Sequence, residues 1–369
     1  MAKAPRVLDN SPEHLQCGDV LNPRLSICIA TRNRADFIGE TLQSIIRQCP
    51  PEVEVIVLDG ASTDNTTAVV TRLQGSFPAL RYERQEKNGG VDRDYDLAVS
   101  LAKGDYCWLM SDDDLLKPGA VAEVLRILDR GHDLIIVNAE LDNFDFSKVL
   151  DGNRLGFSQD RVYGSDALDR LFEETSGYLT YIGAVVIRRS IWLSRDRETF
   201  FGSCFIHVGV IFQDALPNGA IALATPLIAI RFGNTQWRPR EFEIRMIRWT
   251  ELIGKLSNIP LAIRKRCYPL RPWRSIKSLF FYRAKGTYGI DDYRRWIRPR
   301  VSSKLDRAKA WSMARFPGWL ANIVGLIVCS FPYRDANVHL LDMKTSRFYF
   351  ANWFKRRPRA AKVQAAQTQ

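Results

Sequence analysis

The chain has 369 residues, 46% of them apolar and 25% charged, which excludes a disordered or low-complexity protein and allows a large core plus an extension. Its net charge of +12 is unevenly placed: residues 231–369 hold 30 Lys and Arg against 8 Asp and Glu, and residues 1–230 hold 23 against 33. A half at +22 is expected to face a polyanion, whereas the other half, at −10, is not.

Residues 1–23 read as a flexible lead-in, and their first sixteen have no apolar stretch of the kind a signal peptide needs. The seven cysteines, at 17, 28, 49, 107, 204, 267 and 329, form no CxxC pair, and Cys28 and Cys107, inside predicted strands, read as buried thiols of a reducing compartment. Residues 25–30, LSICIA, are a continuous apolar run and predict a buried strand that breaks at TRNR, 31–34. A helix follows, with apolar residues at helical spacing up to Ile46, stopped by Pro50 and Pro51. The second strand, 54–58, ends in Asp59 and Gly60, and Asp64 suits the cap of the next helix. Residues 80–83 predict a weaker strand, Asn88-Gly89-Gly90 a turn, and 91–102 a helix. Residues 106–110, YCWLM, predict a buried strand that runs straight into Asp112, Asp113 and Asp114.

Three adjacent carboxylates repel one another, and burying them costs energy unless a cation or hydrogen-bond donors compensate. A divalent ion held by one or two of them, with substrate phosphates completing its shell, is one solution. A polar loop whose Asp113 or Asp114 caps a helix over 115–130 is the other. Pro118 suits the first turn of a helix, and 134–138 predict a further strand. Strand and helix alternate through residue 138, which predicts a mostly parallel α/β sheet with helices on both faces. The polar clusters at 31–33, 59 and 112–114 would then gather along one edge, where such sheets bind ligands. Residues 178–187 and 221–230 predict strands, and 202–216 a turn leading into a helix.

Three segments together, SICIATRNRADFIGETLQSI at 26–45, VIVLDGASTDNT at 55–66 and AKGDYCWLMSDDDLLKPGAV at 102–121, resemble the nucleotide-sugar domain of glycosyltransferase family 2, the GT-A fold. The intervening NGGVDRDYDLAVSLA at 88–102 is similar to a subset that includes abequosyltransferase-like O-antigen enzymes. The resemblance covers about residues 24–230. It implies a metal-dependent glycosyltransferase, inverting by the family default, that uses a nucleotide-sugar and Mg or Mn. By position it implies that Ala30, Thr31 and Asn33 line the nucleotide pocket, that Asp59 binds the base, and that Arg93 lies near the base or pyrophosphate. It places Asp113 on the ribose and Asp114 on the metal, with Asp112 able to shift that register by one. Two departures leave the base open: Arg32 replaces the usual Tyr, and Asp59-Gly60-Ala61-Ser62 replaces Asp-Asp-Gly-Ser. For the catalytic base, the family's position falls on His207, with Asp214 the alternative.

The last third is basic, aromatic and helical, with helices expected over 241–256 and 293–315. Residues 316–333 carry no charge, but are short for a spanning helix, which needs about 20 apolar residues. They suit either a membrane-interface helix, with Trp319 at the headgroups, or a helix packed on the protein. The runs Arg264-Lys265-Arg266, Arg294-Arg295 and 355–359, with Trp273, Trp296, Trp311 and Trp353, favour an anionic membrane surface. No nucleic-acid partner is expected, since no such motif accompanies the charge. The expected division is a GT-A domain at 24–235, a basic membrane-associating region at 236–359 and a disordered tail at 360–369. The expected setting is cytoplasmic, peripheral at the inner face of the plasma membrane, with a lipid-linked saccharide as acceptor in surface polysaccharide synthesis. A sugar nucleotidyltransferase would want a glycine-rich loop where TRNRAD has none, and a non-catalytic polyanion-binding protein would have no use for the aspartates.

Overall fold

A computed structural model describes residues 23–234, 236–331 and 336–351; the lead-in before 23, the tail at 360–369, Trp353 and the basic run at 355–359 lie outside them. Ten strands form one sheet: β1 (Leu25–Thr31), β2 (Val53–Asp59), β3 (Leu80–Arg84), β4 (Tyr106–Met110), β5 (Leu115–Leu116), β6 (Leu134–Asp142), β7 (Val149–Asp151), β8 (Arg161–Tyr163), β9 (Val185–Arg188) and β10 (Ala220–Arg231). Their order is β3-β2-β1-β4-β9-β6-β10-β5, with β7 on β6 and β8 on β10. β1, β2, β3 and β4 pair in parallel, β9 runs antiparallel between β4 and β6, and β6 pairs in parallel with β10. Two reversals restore the direction, so β6 and β10 point the same way as β1–β4. The carboxyl ends of these six strands share one edge.

Seven helices pack on this sheet: α1 (Ile38–Ile46), α2 (Thr66–Gln74), α3 (Val91–Leu101), α4 (Ala120–Leu128), α5 (Leu168–Thr175), α6 (Arg189–Ser194) and α7 (Ile206–Phe212). The continuous apolar runs serve both faces because successive residues point to opposite sides. Cys28, Leu58 and Leu109 join a core with α3 and α7, while Ile27, Ile29, Val57 and Trp108 join one with α1 and α4.

Two expected elements take another form. Residues 178–184 are two 3₁₀ turns, and only Val185–Arg188 is strand. Their polar groups explain why: the Tyr178 hydroxyl donates to the Val137 carbonyl at 2.8 Å, and the Gly183 carbonyl accepts from Trp108 Nε1 at 2.9 Å. A regular strand would alternate these groups away from those partners. Leu115–Leu116 form a strand against β10 rather than the start of a helix, so neither Asp113 nor Asp114 is a helix cap. α4 begins only after Gly119, whose φ of 83° suits glycine.

Beyond β10 the chain is helical, as expected. Glu243–Arg248 is a π-helical stretch that continues into the α-helix Trp249–Lys255. Ile244, Trp249, Leu252, Ile253 and Leu256 fill the sheet's α3–α7 core, while Phe242, Met246 and Ile247 join a second core with Leu279, Tyr288 and Ile297. The helix over 243–256 therefore contributes to both cores. The helix expected over 293–315 is broken after Ile297 by a 3₁₀ turn holding Pro299, and resumes as Lys304–Arg315, capped by Ser303.

Gly318–Cys329 is a helix packed through Gly318, Ala321, Asn322, Gly325 and Cys329. Its other side leaves Trp319, Ile323, Val324, Ile327 and Val328, with Phe331 beyond, exposed. No single helix among the described residues is long and apolar enough to cross a membrane; Lys304–Arg315 and Gly318–Cys329 together would qualify only as a pair bent by 92°.

Candidate active site

The site grows from the loops at the sheet's carboxyl edge. β1 ends at Thr31, and the loop after it is laced to the loop after β2. The Asn33 amide N–H donates to Ser62 Oγ at 2.9 Å, and Asn33 Oδ1 accepts from the Thr63 N–H at 2.7 Å. Asp64 does not cap α2 through its own first turn alone; its carboxylate accepts from the Ala35 and Thr66 N–H groups at 3.1 and 3.0 Å and so joins the two loops. Asp59 is fully buried, with Oδ1 accepting from the Ser62 N–H at 2.7 Å and Oδ2 from the Tyr82 hydroxyl at 2.5 Å. Asn33 and Ala61 have φ of 55° and 64°, left-handed values that are uncommon for residues with side chains and frequent at functional turns.

β4 delivers the three aspartates, and their fates differ. The buried guanidinium of Arg34 donates through Nε to Asp112 at 3.1 Å and through Nη2 to Asp113, while its Nη1 donates to the Asn234 carbonyl at 3.0 Å. Asn234 Nδ2 donates to the same Oδ2 of Asp113 at 2.8 Å, leaving Oδ1 of Asp113 open. Asp114 turns away from this clamp. It is 2% exposed, and its oxygens accept from the Arg231 N–H and the Tyr181 hydroxyl, both at 2.8 Å, and from Ser111. Burial, then the charge of Asp113, lifts Asp112 to about 6 and Asp114 to about 7. Arg34 moves upward as well: burial works against its charge, and Asp112 and Asp113 outweigh it.

The donor set bears on the expected ion. Among the described residues no group of three His, Cys, Asp or Glu side chains could hold a metal alone. Mg and Mn, however, are often held by one or two carboxylates and substrate phosphates. Asp112 and Asp113 fit that requirement at the edge. Asp114 is the most enclosed of the three, its oxygens accepting from the Arg231 N–H, the Tyr181 hydroxyl and Ser111.

The helical side of the site is set by α3. Asp92 accepts from the Cys204 and Ile206 N–H groups at 2.8 and 3.1 Å, tying α3 to the entry of α7. Arg93 stacks its guanidinium 4.2 Å from the Phe201 ring centre. His207, in the first turn of α7, is 1% exposed and shares a 2.7 Å hydrogen bond between Nε2 and the Leu179 carbonyl. Burial pushes it down to about 4. It lies against the α3–α7 core rather than on an open face. α7 runs away from the site edge, and Asp214 follows its end, six residues before β10 starts at Ala220 on the opposite edge. Asp214 is exposed there and accepts from its neighbouring Ala215 N–H. Asp214 thus stands toward the edge opposite the aspartates.

Sequence reading passed over Arg34, Asp92, Asp94, Ser111, Tyr181, Arg231 and Asn234. Arg34 was visible inside TRNR, and Asp92 and Asp94 as acids in the first turn of α3. Tyr181, Arg231 and Asn234 reach Asp113 or Asp114 from 67 to 121 residues away, and no local pattern announces them.

Comparison with known proteins agrees with this architecture. Residues 26–185 match the model of Glycosyl transferase family 2. Abequosyltransferase RfbV of Salmonella typhimurium is 26% identical over 293 residues, which cover 73% of this chain and 86% of that one. S. aureus TarS in complex with UDP-GlcNAc superposes with a TM-score of 0.55 at 14% identity, over 92% of this chain and 95% of that one. Mannosyltransferase PcManGT from Pyrobaculum calidifontis, in complex with GDP-Man and Mn2+, does so with a TM-score of 0.50 at 15% identity, over 94% and 92%. At those identities the two structures speak for the fold alone, a GT-A sheet with helical additions. The match over residues 26–185 identifies a glycosyl transferase family 2 domain, and this chain is a glycosyltransferase.

Proposed function

We propose that this glycosyltransferase moves a hexosyl or deoxyhexosyl group from a nucleotide-sugar to a hydroxyl of a lipid-linked saccharide in surface polysaccharide or O-antigen synthesis, with inversion by single displacement. The observation that carries the reading is the Asp112–Asp113 pair at the end of β4, clamped by Arg34 and two strands from Asp59. In this reading the nucleoside lies across Ala30, Thr31 and Asn33 with its base toward Asp59. Asp113, with Asp112, holds Mg or Mn. The ion, when bound, supplies Lewis-acid stabilisation of the charge that develops on the departing diphosphate. Arg34 keeps the two carboxylates in position and offsets their charge before the donor arrives. The Mn2+ in the complex of the archaeal mannosyltransferase is consistent with that choice of ion.

The membrane part of the reading rests on the exposed apolar side of Gly318–Cys329 within a half of +22. An exposed apolar patch in so basic a half suits the anionic cytoplasmic leaflet, which would bring a lipid-linked acceptor to the site as a peripheral enzyme. A thermal-shift series with UDP-, GDP-, CDP- and dTDP-sugars, each with Mn and with a chelator, tests the donor reading. A rise in Tm for one donor, lost with the chelator, is the expected result; no rise with any donor contradicts it.

A further inference from the structure

A second recess lies beside the aspartates, between the start of α1 and the turn that joins β6 to β7. It has a volume of about 440 Å³, and Phe37, Phe144 and Phe146 stand on its walls. Arg231, 7% exposed, sits among these rings, 5.3, 5.7 and 4.3 Å from their respective centres. Its Nη1 donates to the Phe144 carbonyl at 2.7 Å and its Nη2 to Glu40. The same residue reaches the aspartates: its N–H donates to Asp114 at 2.8 Å and its Nε to the Asp113 carbonyl at 3.1 Å. The Phe37 ring centre is also 5.1 Å from the Arg34 guanidinium, so one ring adjoins both arginines that hold the aspartates. The recess therefore neighbours the donor edge, toward the ends of β6 and β10 rather than toward Asp59 on β2.

The turn holds its rings in place. Asn143 Nδ2 donates to Ser147 Oγ at 2.9 Å, Asn143 Oδ1 accepts from the Lys148 N–H at 3.0 Å, and Phe146 takes a left-handed φ of 57°. Phe144 nevertheless stays 54% exposed, its ring edge-on to Phe37 with 5.9 Å between centres. A lone exposed phenylalanine is ordinary, but three rings fixed at the rim of a recess form a preorganised stacking surface. Asp36, Glu40 and Asp145 line the same recess, three carboxylates against the one guanidinium of Arg231. That balance repels phosphates and uronates, so neither the donor diphosphate nor an acidic polymer suits it. A neutral sugar does: its C–H face stacks on the electron-rich face of an aromatic ring, and its hydroxyls donate to carboxylates. A cationic ligand is the weaker fit, because Arg231 already lies against the rings and pairs with Glu40.

We propose that this recess is a saccharide subsite that holds a neutral sugar of the acceptor chain, stacked on Phe144 with its hydroxyls toward Asp36 and Asp145. The inference rests on the reading that the acceptor is a saccharide. Saturation-transfer NMR titrations of the full chain test it, with oligosaccharides released from bacterial surface polysaccharides, some neutral and some bearing uronate or phosphate. Phe144→Ala and Phe144→Tyr are run beside the wild type, and each chain is also titrated calorimetrically with UDP and GDP in the presence of Mn. At least one neutral oligosaccharide is expected to bind the wild-type chain, with saturation passed to its ring C–H protons. Phe144→Ala should weaken that binding about tenfold or more, and Phe144→Tyr, which keeps the ring, should retain it. Neutral binding that Phe144→Ala leaves unchanged overturns the inference, as does binding of the acidic oligosaccharides only, or of none. A nucleotide affinity that falls in step with the saccharide affinity in Phe144→Ala also overturns it, by assigning the recess to the donor. The expected saccharide result without nucleotide binding in any chain supports the inference and contradicts the donor reading alone.

Discussion

The two halves of this chain handle charge in opposite ways. In the sheet half, at −10, carboxylates converge on one edge and are held by a few buried partners: Arg34 for Asp112 and Asp113, the Arg231 N–H and Tyr181 for Asp114, and backbone N–H groups for Asp59 and Asp92. In the helical half, at +22, Lys and Arg outnumber acids almost fourfold, and an apolar helix side is left uncovered. The first arrangement concentrates charge where a cation and a diphosphate could meet. The second spreads charge over a surface. The difference teaches that one chain can carry a site for phosphates and a surface for anions without mixing them.

Breaking the clamp is expected to give the largest effect. Arg34→Ala leaves Asp112 and Asp113 facing each other in a buried place, and loss of one partner of such a pair costs about 3–5 kcal/mol. The melting temperature should fall accordingly, and Mn should restore part of it, because a divalent ion takes over the missing positive charge. A fall that Mn does not touch would separate Arg34 from the metal edge.

His207 gives the next effect, on stability against pH. Its folded-state value near 4 lies below the ordinary value of 6.5. The unfolded chain therefore takes up the proton first, and stability is lost as pH drops from about 6.5 toward about 4, by roughly 2–3 kcal/mol at the acid end. His207→Gln should flatten that part of the curve, read by denaturant melts at several pH values. A catalytic base would show instead as a lost acid limb in the rate profile with an unchanged stability curve.

How much of this was legible beforehand follows from particular residues. The strands at 25–30, 54–58 and 106–110 were visible because strands buried on both faces read as unbroken apolar runs, and the shared edge followed from their alternation with helices. The division of labour within Asp112–Asp114 was not visible. Three identical side chains in a row differ only in what reaches them, and Tyr181 and Arg231 come from distant elements. The burial of His207 was hidden for a similar reason: its place at the start of a helix was legible, but which side of α7 faces the core is decided by Leu179 and the packing around it. The segment 178–187 looked like a strand because its aromatics have high β-propensity, which yielded to hydrogen bonds made by those same aromatics.

Two smaller changes sharpen the contrast on either side. On the helical side, Ile323→Asp with Ile327→Asp places charge on the uncovered face without entering the core. Co-sedimentation with vesicles of anionic lipid should drop about tenfold, equivalent to about 1.4 kcal/mol, while binding to nucleotide stays unchanged. Unaltered sedimentation would remove this face from the membrane reading. On the sheet side, Asp92→Asn loses one of the acceptors that hold the entry of α7, which should cost about 1 kcal/mol. Faster amide exchange at Cys204 and Ile206, without change in Mn affinity, would mark the effect as local.

The division among the three aspartates is tested most directly by the electron paramagnetic resonance of Mn titrated into the full chain with a bound nucleoside diphosphate. The wild-type chain and Asp114→Asn, compared under conditions where both are folded, should immobilise Mn with affinities within a few-fold of each other, while Asp113→Asn should lose at least tenfold. Loss of Mn binding in Asp114→Asn with retention in Asp113→Asn would contradict the assignment of the metal edge to Asp112 and Asp113.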